Sequence, residues 1–346
     1  MSISVVIVGA GRMGQKHLER LSEIEDVRLV GVADVRREAA DAMASGSSAA
    51  AANDYRELLE QVRPDAVYFC TPPADHAEQV VFAAERGINV FVEKPLATTV
   101  GGAMAAAAAV ERRNVVCTVG YQWRYNAATE MAQEVLGDAS LTLLSAWWYA
   151  TVPPVPWIRD RRFGGGQIFE QATHLIDLMR LFGGEVSTVF AAYAHNAVPE
   201  DDLPNWDANS VTLRFADGAV GSVHSTYALF PGIPGNNGLD LVARELLVRV
   251  HGNRIIVYRR DQEPVEIPAP TPPRIDRDFV DAVHRNDPVA IRSSARESAA
   301  SIAVSLAANY SAVSGKVVDM QEFVSSPPTD AVIMPDERPV SVPQAP

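Results

Sequence analysis

The stretch "ISVVIVGAGRMGQKHLERL", residues 3–21, decides how the N-terminal part of the chain folds. Its β-branched run is typical of a strand that is buried on both faces in a parallel sheet. A helical pattern then follows three glycines. Gly9 permits a tight turn, Gly11 lets a pyrophosphate approach the backbone, and Gly14 lets the helix pack against the strand. The stretch therefore predicts a dinucleotide-binding turn that holds phosphate at a helix N-terminus.

An acidic residue at the expected distance supports this interpretation. Asp34 lies about 20 residues after the last glycine, where its carboxylate could bind ribose hydroxyls. A carboxylate there repels a 2′-phosphate and favours NAD, whereas Arg36 could accommodate NADP or simply be a solvated residue at a helix start. We expect NAD as the cofactor, with NADP possible, in contact with Arg12 and Met13 of the glycine-rich turn.

Strand and helix patterns alternate over about the first 120 residues, which predicts a doubly wound parallel sheet, that is, an α/β Rossmann domain. The alanine run at 44–52 is compatible with a helix. Ligands of such sheets lie beyond the carboxyl ends of the strands. Three polar segments follow predicted strands, at residues 70–76, 93–95 and 120–125. We expect these segments to line the ligand site.

Lys94 stands out among them. It lies between Glu93 and Pro95 at the end of a predicted strand, and the proline restricts the lysine backbone to extended conformations. Its ammonium would then point into the cofactor crevice and could donate a hydrogen bond to a substrate hydroxyl. The alternative is a solvated surface charge.

A second polar motif follows three glycines in "FGGGQIFEQATHLIDL", residues 163–178. The pattern predicts one helix that runs from after the glycines to Gly183. Glu170, His174 and Asp177 are four and three residues apart, so they would share one stripe of that helix. The stripe is either an active-site face or a solvated, charge-laced helix side, and the predicted dinucleotide crevice favours the former.

Composition limits the partners and the compartment. The net charge of −13 and the pI of about 5.0 disfavour nucleic acid and anionic membranes. The sequence contains no run of 18 or more apolar residues, so it predicts no membrane span. The N-terminus has no signal-peptide pattern. Cys70 and Cys117 show no metal-ligand spacing and are interpreted as reduced thiols of a cytoplasmic protein. No metal is expected.

Four motifs in order resemble those of the glucose–fructose oxidoreductase / inositol dehydrogenase family (Gfo/Idh/MocA). They are the glycine-rich turn, "TPPADH" at 71–76, "EKP" at 93–95 and "GGGQIFEQATHLID" at 164–177. The resemblance covers about residues 3 to 320. It implies a Rossmann domain followed by an α+β domain with a large, open, mostly antiparallel sheet. In the family this sheet commonly mediates homodimers or homotetramers.

The resemblance also implies an activity. Most members are NAD(P)-dependent dehydrogenases or reductases acting on sugars, inositols and related polyols. The family's catalytic lysine corresponds to Lys94, and its acid–histidine pair corresponds to Glu170 and His174, although the acid is usually aspartate. The resemblance assigns further residues to the cofactor side of the pocket, namely Thr71, Pro73, His76 and Glu93.

In the expected mechanism His174 takes the hydroxyl proton as hydride leaves carbon, because imidazole side chains titrate near neutral pH. Lys94 stabilises the developing oxyanion or relays the proton, and which of the two is the formal base stays open. Glu170 would orient His174 or accept a substrate hydroxyl. The expectation requires that Lys94 and His174 reach the same face of one nicotinamide ring. Candidate substrate-binding residues are Tyr121, Gln122, Arg124, Trp157, Arg159 and Asp177, the last of which could instead be a supporting or capping group.

The rest of the chain completes the predicted organisation. From residue 186 onwards β-rich runs separated by turn signals predict an antiparallel meander, followed by two helices. We expect a Rossmann domain at 1–121, a substrate-binding and oligomerisation domain at 122–324, and a Pro-rich tail at 325–346. Two alternative functions stay open. One is NAD-dependent glycosidic bond cleavage through transient oxidation, and the other is a non-catalytic dinucleotide sensor.

Overall fold

A computed structural model of the chain describes residues 2–269 and 274–328. The residues form two compact units. The first contains the described residues up to Ala97 together with Gly101–Gln122 and Arg274–Ala299, and the second contains the other described residues. The first unit thus combines the N-terminal part of the chain, up to Gln122, with residues 274–299. The division into domains at 1–121, 122–324 and 325–346 stays a prediction. Most of the predicted tail, residues 329–346, lies outside the described residues.

A six-stranded, fully parallel sheet forms the centre of the first unit. Its order is β3-β2-β1-β4-β5-β6, so the strand order reverses at β1 as in a doubly wound Rossmann fold. The central residues of β1 are fully buried, as its β-branched composition predicts. The strands are β1 (Ile3–Val8), β2 (Val27–Ala33), β3 (Ala50–Ala52), β4 (Ala66–Phe69), β5 (Asn89–Val92) and β6 (Cys117–Val119).

Helices connect these strands and pack against them. One strand departs from the sequence prediction, because Ala50–Ala52 pairs with β2 as β3 instead of extending a helix. Alanine is tolerated there because hydrogen bonding to a neighbouring strand overrides its helix preference. The helices of this unit are α1 (Arg12–Ser22), α2 (Arg37–Ala44), α3 (Tyr55–Val62), α4 (Pro73–Glu85), α5 (Val100–Arg113) and α11 (Ile275–Arg285). Helix α11 packs against α1, which explains why this late segment belongs to the first unit.

A nine-stranded sheet forms the second unit. Its order is β14-β13-β12-β11-β7-β10-β9-β8-β15, and every pair is antiparallel except β7 with β10. The predicted meander lacked β7, which precedes it in the chain and lies near the middle of the sheet. The strands are β7 (Leu141–Tyr149), β8 (Val186–Ala194), β9 (Ala208–Phe215), β10 (Val220–Thr226), β11 (Asn237–Ala243), β12 (Leu246–His251), β13 (Arg254–Arg259), β14 (Val265–Pro268) and β15 (Val318–Asp319).

One face of this sheet is covered by helices. Helix α10 packs against β7 and β10, and α6 packs against β12 and β13. Burial alternates along β9, so every second side chain faces away from the helices. The helices assigned wholly or partly to this unit are α6 (Ala127–Leu136), α7 (Pro156–Arg159), α8 (Arg161–Gly164), α9 (Gln167–Glu170), α10 (Thr173–Gly183), α12 (Ala295–Ser314) and α13 (Met320–Ser325).

The single helix predicted after the glycines is in fact two helices. Helix α9 ends at Glu170, and the N–H of Ala172 reaches back five residues to the carbonyl of Gln167 at 2.7 Å, a wider turn than that of an α-helix. Helix α10 then begins at Thr173. The prediction that Glu170, His174 and Asp177 share one stripe of one helix is therefore wrong, because the break lies between the first two.

Candidate active site

The glycine-rich turn after β1 is closely packed at two of its glycines and open at the third. Gly9 has a φ of +97°, and a β-carbon there would lie 2.6 Å from the carbonyl oxygen of Cys70. A β-carbon on Gly14 would lie 2.1 Å from the carbonyl oxygen of Gly9. A β-carbon on Gly11 would meet no atom within 4 Å. The space over Gly11 is what a pyrophosphate at this turn requires.

The start of α1 matches this space. Gly11 is the N-cap and supplies no side-chain hydrogen bond, so the first N–H groups of α1, including those of Arg12 and Met13, face the turn without a side-chain cap. Asp34 follows β2, and its carboxylate accepts the N–H of Ala10 at 2.8 Å and that of Arg36 at 2.9 Å. A carboxylate can accept further hydrogen bonds. These residues fit an NAD pyrophosphate and ribose.

The segment after β4 is held by a buried histidine. The hydroxyl of Thr71 donates to Gln79 at 2.7 Å, and Pro73 is the first residue of α4. The imidazole of His76 is fully buried, with Nδ1 2.7 Å from the carbonyl oxygen of Pro95 and Nε2 2.9 Å from that of Thr71. Burial lowers the pKa of His76 although both carbonyls oppose the shift. His76 thus joins the two segments that follow β4 and β5.

The segment after β5 carries Lys94 on a fixed backbone. One oxygen of Glu93 accepts the Lys94 N–H at 3.2 Å, and the other lies 3.0 Å from Nε2 of His17. A β-carbon on Gly120 would lie 3.0 Å from the Glu93 carboxylate and 3.1 Å from the Lys94 nitrogen. Burial opposes the Glu93 charge, but the hydrogen bond and charge of His17, together with the charge and backbone N–H of Lys94, outweigh it and lower the pKa of Glu93.

The three glycines of the second motif are required by close packing and backbone angles. A β-carbon on Gly164 would lie 2.4 Å from the carbonyl oxygen of Ile158. Gly165 and Gly166 have φ angles of +68° and +88°, which side chains rarely tolerate. The glycines therefore let α8 turn sharply into α9.

His174 lies in an aromatic cluster. Its ring is 5.3 Å from that of Trp123 and 6.3 Å from that of Trp148, with nearly parallel planes, and the two indoles stack at 4.9 Å. His174 itself is 6% exposed. Glu170 lies close enough to Tyr227 that its charge adds to the effect of burial, and the two together raise the pKa of Tyr227.

Arg124 and Asp177 form a buried ion pair. The Nε and Nη2 atoms of Arg124 donate to the two carboxylate oxygens of Asp177 at 2.7 and 2.8 Å. The Ser301 hydroxyl donates to the same carboxylate at 2.8 Å. Both charged side chains are at most 3% exposed. In this arrangement each satisfies the other.

The other predicted substrate residues differ in accessibility. Trp157 and Arg159 are half-buried in α7, and Nε of Arg159 donates to the carbonyl oxygen of Pro153 at 2.6 Å. Tyr121 is fully buried, whereas Gln122 is partly exposed; both belong to the first unit.

Sequence reasoning assigned no role to His17 or Trp148, and it included Trp123 only as part of the segment 120–125. His17 had a detectable signal, because it occupies the buried face of α1 with Gly14 and Leu21, where a polar side chain needs partners. Among residues 2–269 and 274–328 there is no group of three or more His, Cys, Asp or Glu side chains that could hold a metal ion. No helix in the described part of the chain is long and apolar enough to cross a membrane.

The reversed strand order, the open turn at Gly11 and the fixed carboxylate of Asp34 define a dinucleotide-binding protein of the Rossmann class. Family models agree with this class. Residues 3–121 match the oxidoreductase family with an NAD-binding Rossmann fold, and residues 115–254 match the Gfo/Idh/MocA C-terminal domain. The chain belongs to the Gfo/Idh/MocA oxidoreductase family, as its motifs predicted.

Individual relatives support this membership. The rhizopine catabolism protein MocA of Rhizobium meliloti is 30% identical over 65% of this chain and 72% of its own length. Inositol 2-dehydrogenase of the same species is 26% identical over 77% of this chain and 78% of its own length. The alignments with the first curated relatives span about two thirds of those proteins' lengths. The solved structure of levoglucosan dehydrogenase with NADH and levoglucosan matches the fold with a TM-score of 0.82 at 21% identity, over 92% of this chain and 100% of that one.

Proposed function

We propose that the protein is an NAD-dependent oxidoreductase that transfers a hydride between the nicotinamide and a CH–OH or carbonyl carbon of a sugar, inositol or related polyol. The observation that carries this proposal is the open turn at Gly11 beside the fixed carboxylate of Asp34, because it fits NAD. Relatives named for inositol and levoglucosan support the substrate class. The curated relatives are matched over about two thirds of their own length, so we extend their substrate class to this chain as a proposal.

Three side chains would carry the chemistry. Bound NAD would supply the hydride acceptor in oxidation and the hydride donor in reduction. His174 would take the substrate hydroxyl proton in oxidation and return it in reduction. Lys94 would donate a hydrogen bond to the same oxygen and stabilise its developing negative charge. Glu170, which lies close to Tyr227, would accept a neighbouring hydroxyl of the substrate or orient His174.

Other predicted residues would act around these groups. Trp157, Arg159 and Gln122 are partly accessible and would contact the sugar ring and its hydroxyls. Arg124 and Asp177 satisfy each other in the buried pair, so we assign them to the support of α10, which carries His174, rather than to substrate contact.

The experiment is a panel of sugars and inositols assayed by absorbance of reduced nicotinamide, with NAD and NADP in parallel. At least one polyol should reduce NAD, and NAD should be preferred because Asp34 repels a 2′-phosphate. Lys94→Ala should lower kcat/KM by about 100-fold or more while NAD still binds. Lys316→Ala, which removes an exposed lysine of the second unit, is the matched control and should leave the rate unchanged.

The same experiment separates the two alternatives. An enzyme that uses transient oxidation would cleave a glycoside while retaining NAD tightly, without net NADH release. A sensor would bind NAD and turn over nothing, and Lys94→Ala would then have no catalytic effect. Unchanged NADH production by Lys94→Ala would refute the role proposed for that ammonium.

We further propose that the protein is a homodimer or homotetramer joined through the face of the nine-stranded sheet that the helices do not cover. That face carries partly exposed apolar side chains on neighbouring strands, including Leu143, Phe190 and Val220. We also propose a cytoplasmic location, which the free thiols of Cys70 and Cys117 support.

A further inference from the structure

A buried histidine lies between two carboxylates in the first unit. His17 is on α1, one turn after the glycine-rich turn, and is 1% exposed. Its Nδ1 is 2.6 Å from an oxygen of Asp276 on α11, and its Nε2 is 3.0 Å from an oxygen of Glu93. Arg20 donates to the other oxygen of Asp276 at 3.2 Å. None of these contacts involves the three glycines of the turn or Asp34.

The geometry requires two N–H groups on the ring. An ionised carboxylate only accepts hydrogen bonds, and a neutral imidazole has a single N–H. Both ring nitrogens of His17 face carboxylate oxygens, so the imidazolium satisfies both contacts and the neutral ring satisfies one. Burial opposes that charge, but the hydrogen bonds to Asp276 and Glu93 and the negative charges of both carboxylates together outweigh it and raise the pKa of His17 to about 9.

The remaining groups around the ring do not compete for its protons. The aromatic rings of Phe91 and Tyr68 lie 4.6 and 5.4 Å from the imidazole. Burial raises the pKa of Tyr68 and that of Cys70 well above their ordinary values, so both are neutral at working pH. The charges that face His17 are therefore Asp276 with Arg20 on one side and Glu93 with Lys94 on the other.

Glu93 transmits this contact to Lys94. Its Oε1 accepts a hydrogen bond from the imidazolium of His17, and its Oε2 accepts the backbone N–H of Lys94 at 3.2 Å. Gly120 leaves room for this carboxylate, since a β-carbon there would lie 3.0 Å from Oε2. A carboxylate fixed at both oxygens fixes the backbone from which the lysine side chain projects.

We propose that His17 is a positioning residue. Held by Asp276, it fixes the carboxylate of Glu93, which in turn fixes the backbone of Lys94 and so directs the ammonium toward the reacting oxygen. The catalytic part of this inference rests on the proposed function. The structural part concerns only the link from His17 to Lys94 and can be tested without turnover.

The catalytic test compares His17→Gln with His284→Gln, which alters an exposed histidine of the same unit. In His17→Gln we expect kcat to fall by about 10–100-fold, because a small misplacement of a catalytic group has effects of this size. KM and NAD affinity should change by less than about threefold, since neither the glycine-rich turn nor Asp34 is touched. We expect kcat of the wild type to fall as the pH rises through about 9, where His17 loses its proton, and this fall should be absent in the variant. His284→Gln should match the wild type in every measurement.

The spectroscopic test uses the scarcity of lysine. The chain has only three, Lys16, Lys94 and Lys316, so ¹³C-lysine labelling gives three side-chain signals. The Lys94 signal is assigned by its loss in Lys94→Met. It should move in His17→Gln, and also in Asp276→Asn, which keeps the ring but removes the remote charge. In ¹³C-histidine-labelled wild type the His17 signal, assigned by its loss in His17→Gln, should titrate near pH 9.

Each result has a defined meaning. A His17 signal that titrates near pH 6.5, or a Lys94 signal that is unmoved in both variants, overturns the inference whatever happens to kcat. If His17→Gln does not fold, the position of the Lys94 signal in Asp276→Asn still decides it. If wild type oxidises no polyol, the proposed function fails, while the lysine and histidine spectra still test the link from His17 to Lys94.

Discussion

Gly11 and Gly14 belong to one motif, yet the structure requires them for different reasons. The missing β-carbon of Gly14 would collide with backbone, whereas that of Gly11 would project into open space. Gly11 has φ −77° and ψ −168°, an extended conformation that alanine adopts without strain. The fold therefore needs Gly14 but not Gly11, and we assign the open space at Gly11 to the cofactor pyrophosphate.

This difference predicts that Gly11→Ala folds normally but has an NAD affinity that is lower by about tenfold or more. The reason is that the added methyl group occupies the space of the pyrophosphate. Calorimetric titration with NAD and a thermal melt without it measure the two effects separately. Gly101→Ala, on an open face of α5, is the control. It should retain NAD affinity and gain up to about 1 kcal/mol of stability. Equal NAD affinity in Gly11→Ala and wild type would contradict the phosphate assignment.

At the level of residues, the sequence predicted what is local. The glycines and Asp34 lie within one strand–helix–strand segment, so their spacing carries the information. The contact of His17 with Asp276 joins residues 259 positions apart, and no spacing rule reaches that far. The stacking of His174 on Trp123 and Trp148 likewise depends on how β7 and α10 pack, which a sequence pattern does not specify.

At the level of elements, the break between α9 and α10 leaves α10 to be oriented by its own contacts. The ion pair of Arg124 with Asp177 is one of them, and it joins α10 to the segment before α6. Asp177 is also bonded by Ser301 of α12. Replacing one partner leaves the other as a buried charge without a counter-ion, whereas replacing both with apolar residues leaves apolar side chains in contact.

We expect Arg124→Met and Asp177→Leu each to lower the free energy of unfolding by about 3–5 kcal/mol. The double variant should recover much of this loss, because neither charge of the pair is then buried without the other. Urea unfolding of the four proteins measures the coupling. A double variant that is stable but has a greatly raised KM would instead support the sequence-based assignment of these residues to substrate binding.

The His17 contacts predict a pH dependence for the elements they join, α1, α11 and the end of β5. A folded-state pKa of about 9 exceeds the ordinary value of 6.5, so the stabilisation is complete below pH 6.5 and is lost as the pH rises through about 9. Its size is on the order of 3 kcal/mol. Unfolding measured from neutral to alkaline pH should therefore show a steeper loss in wild type than in His17→Gln. Parallel curves for the two proteins would exclude this contribution.

Prediction of the elements succeeded where periodicity is strong and failed where packing decides. The buried strands of the first sheet and the helices α1, α4 and α11 follow their hydrophobic patterns. Ala50–Ala52 has no strand pattern and becomes β3 only because β2 offers an edge. The helix predicted after the glycines breaks because a wider turn at Ala172 interrupts a continuous apolar pattern.

At the level of the whole molecule, the relevant feature is the face of the nine-stranded sheet that the helices of the second unit do not cover. Leu143 of β7 and Val220 of β10 are paired in register and lie side by side, 39% and 42% exposed. Phe190 of β8 is 42% exposed on the same sheet. Apolar side chains on adjacent strands favour burial against a second copy of the chain.

We therefore predict that the wild type elutes at twice or four times its chain mass of 37.4 kDa and that Leu143→Asp shifts it toward the monomer. A carboxylate placed at the centre of an apolar contact must be desolvated without a partner, which costs several kcal/mol at each copy. Light scattering coupled to size exclusion gives the mass, and a dilution series gives the dissociation constant. Val289→Asp adds the same charge to a 90% exposed valine of the first unit and should leave the mass unchanged. A monomeric wild type, or an oligomer that tolerates Leu143→Asp as well as Val289→Asp, would exclude this face as the interface.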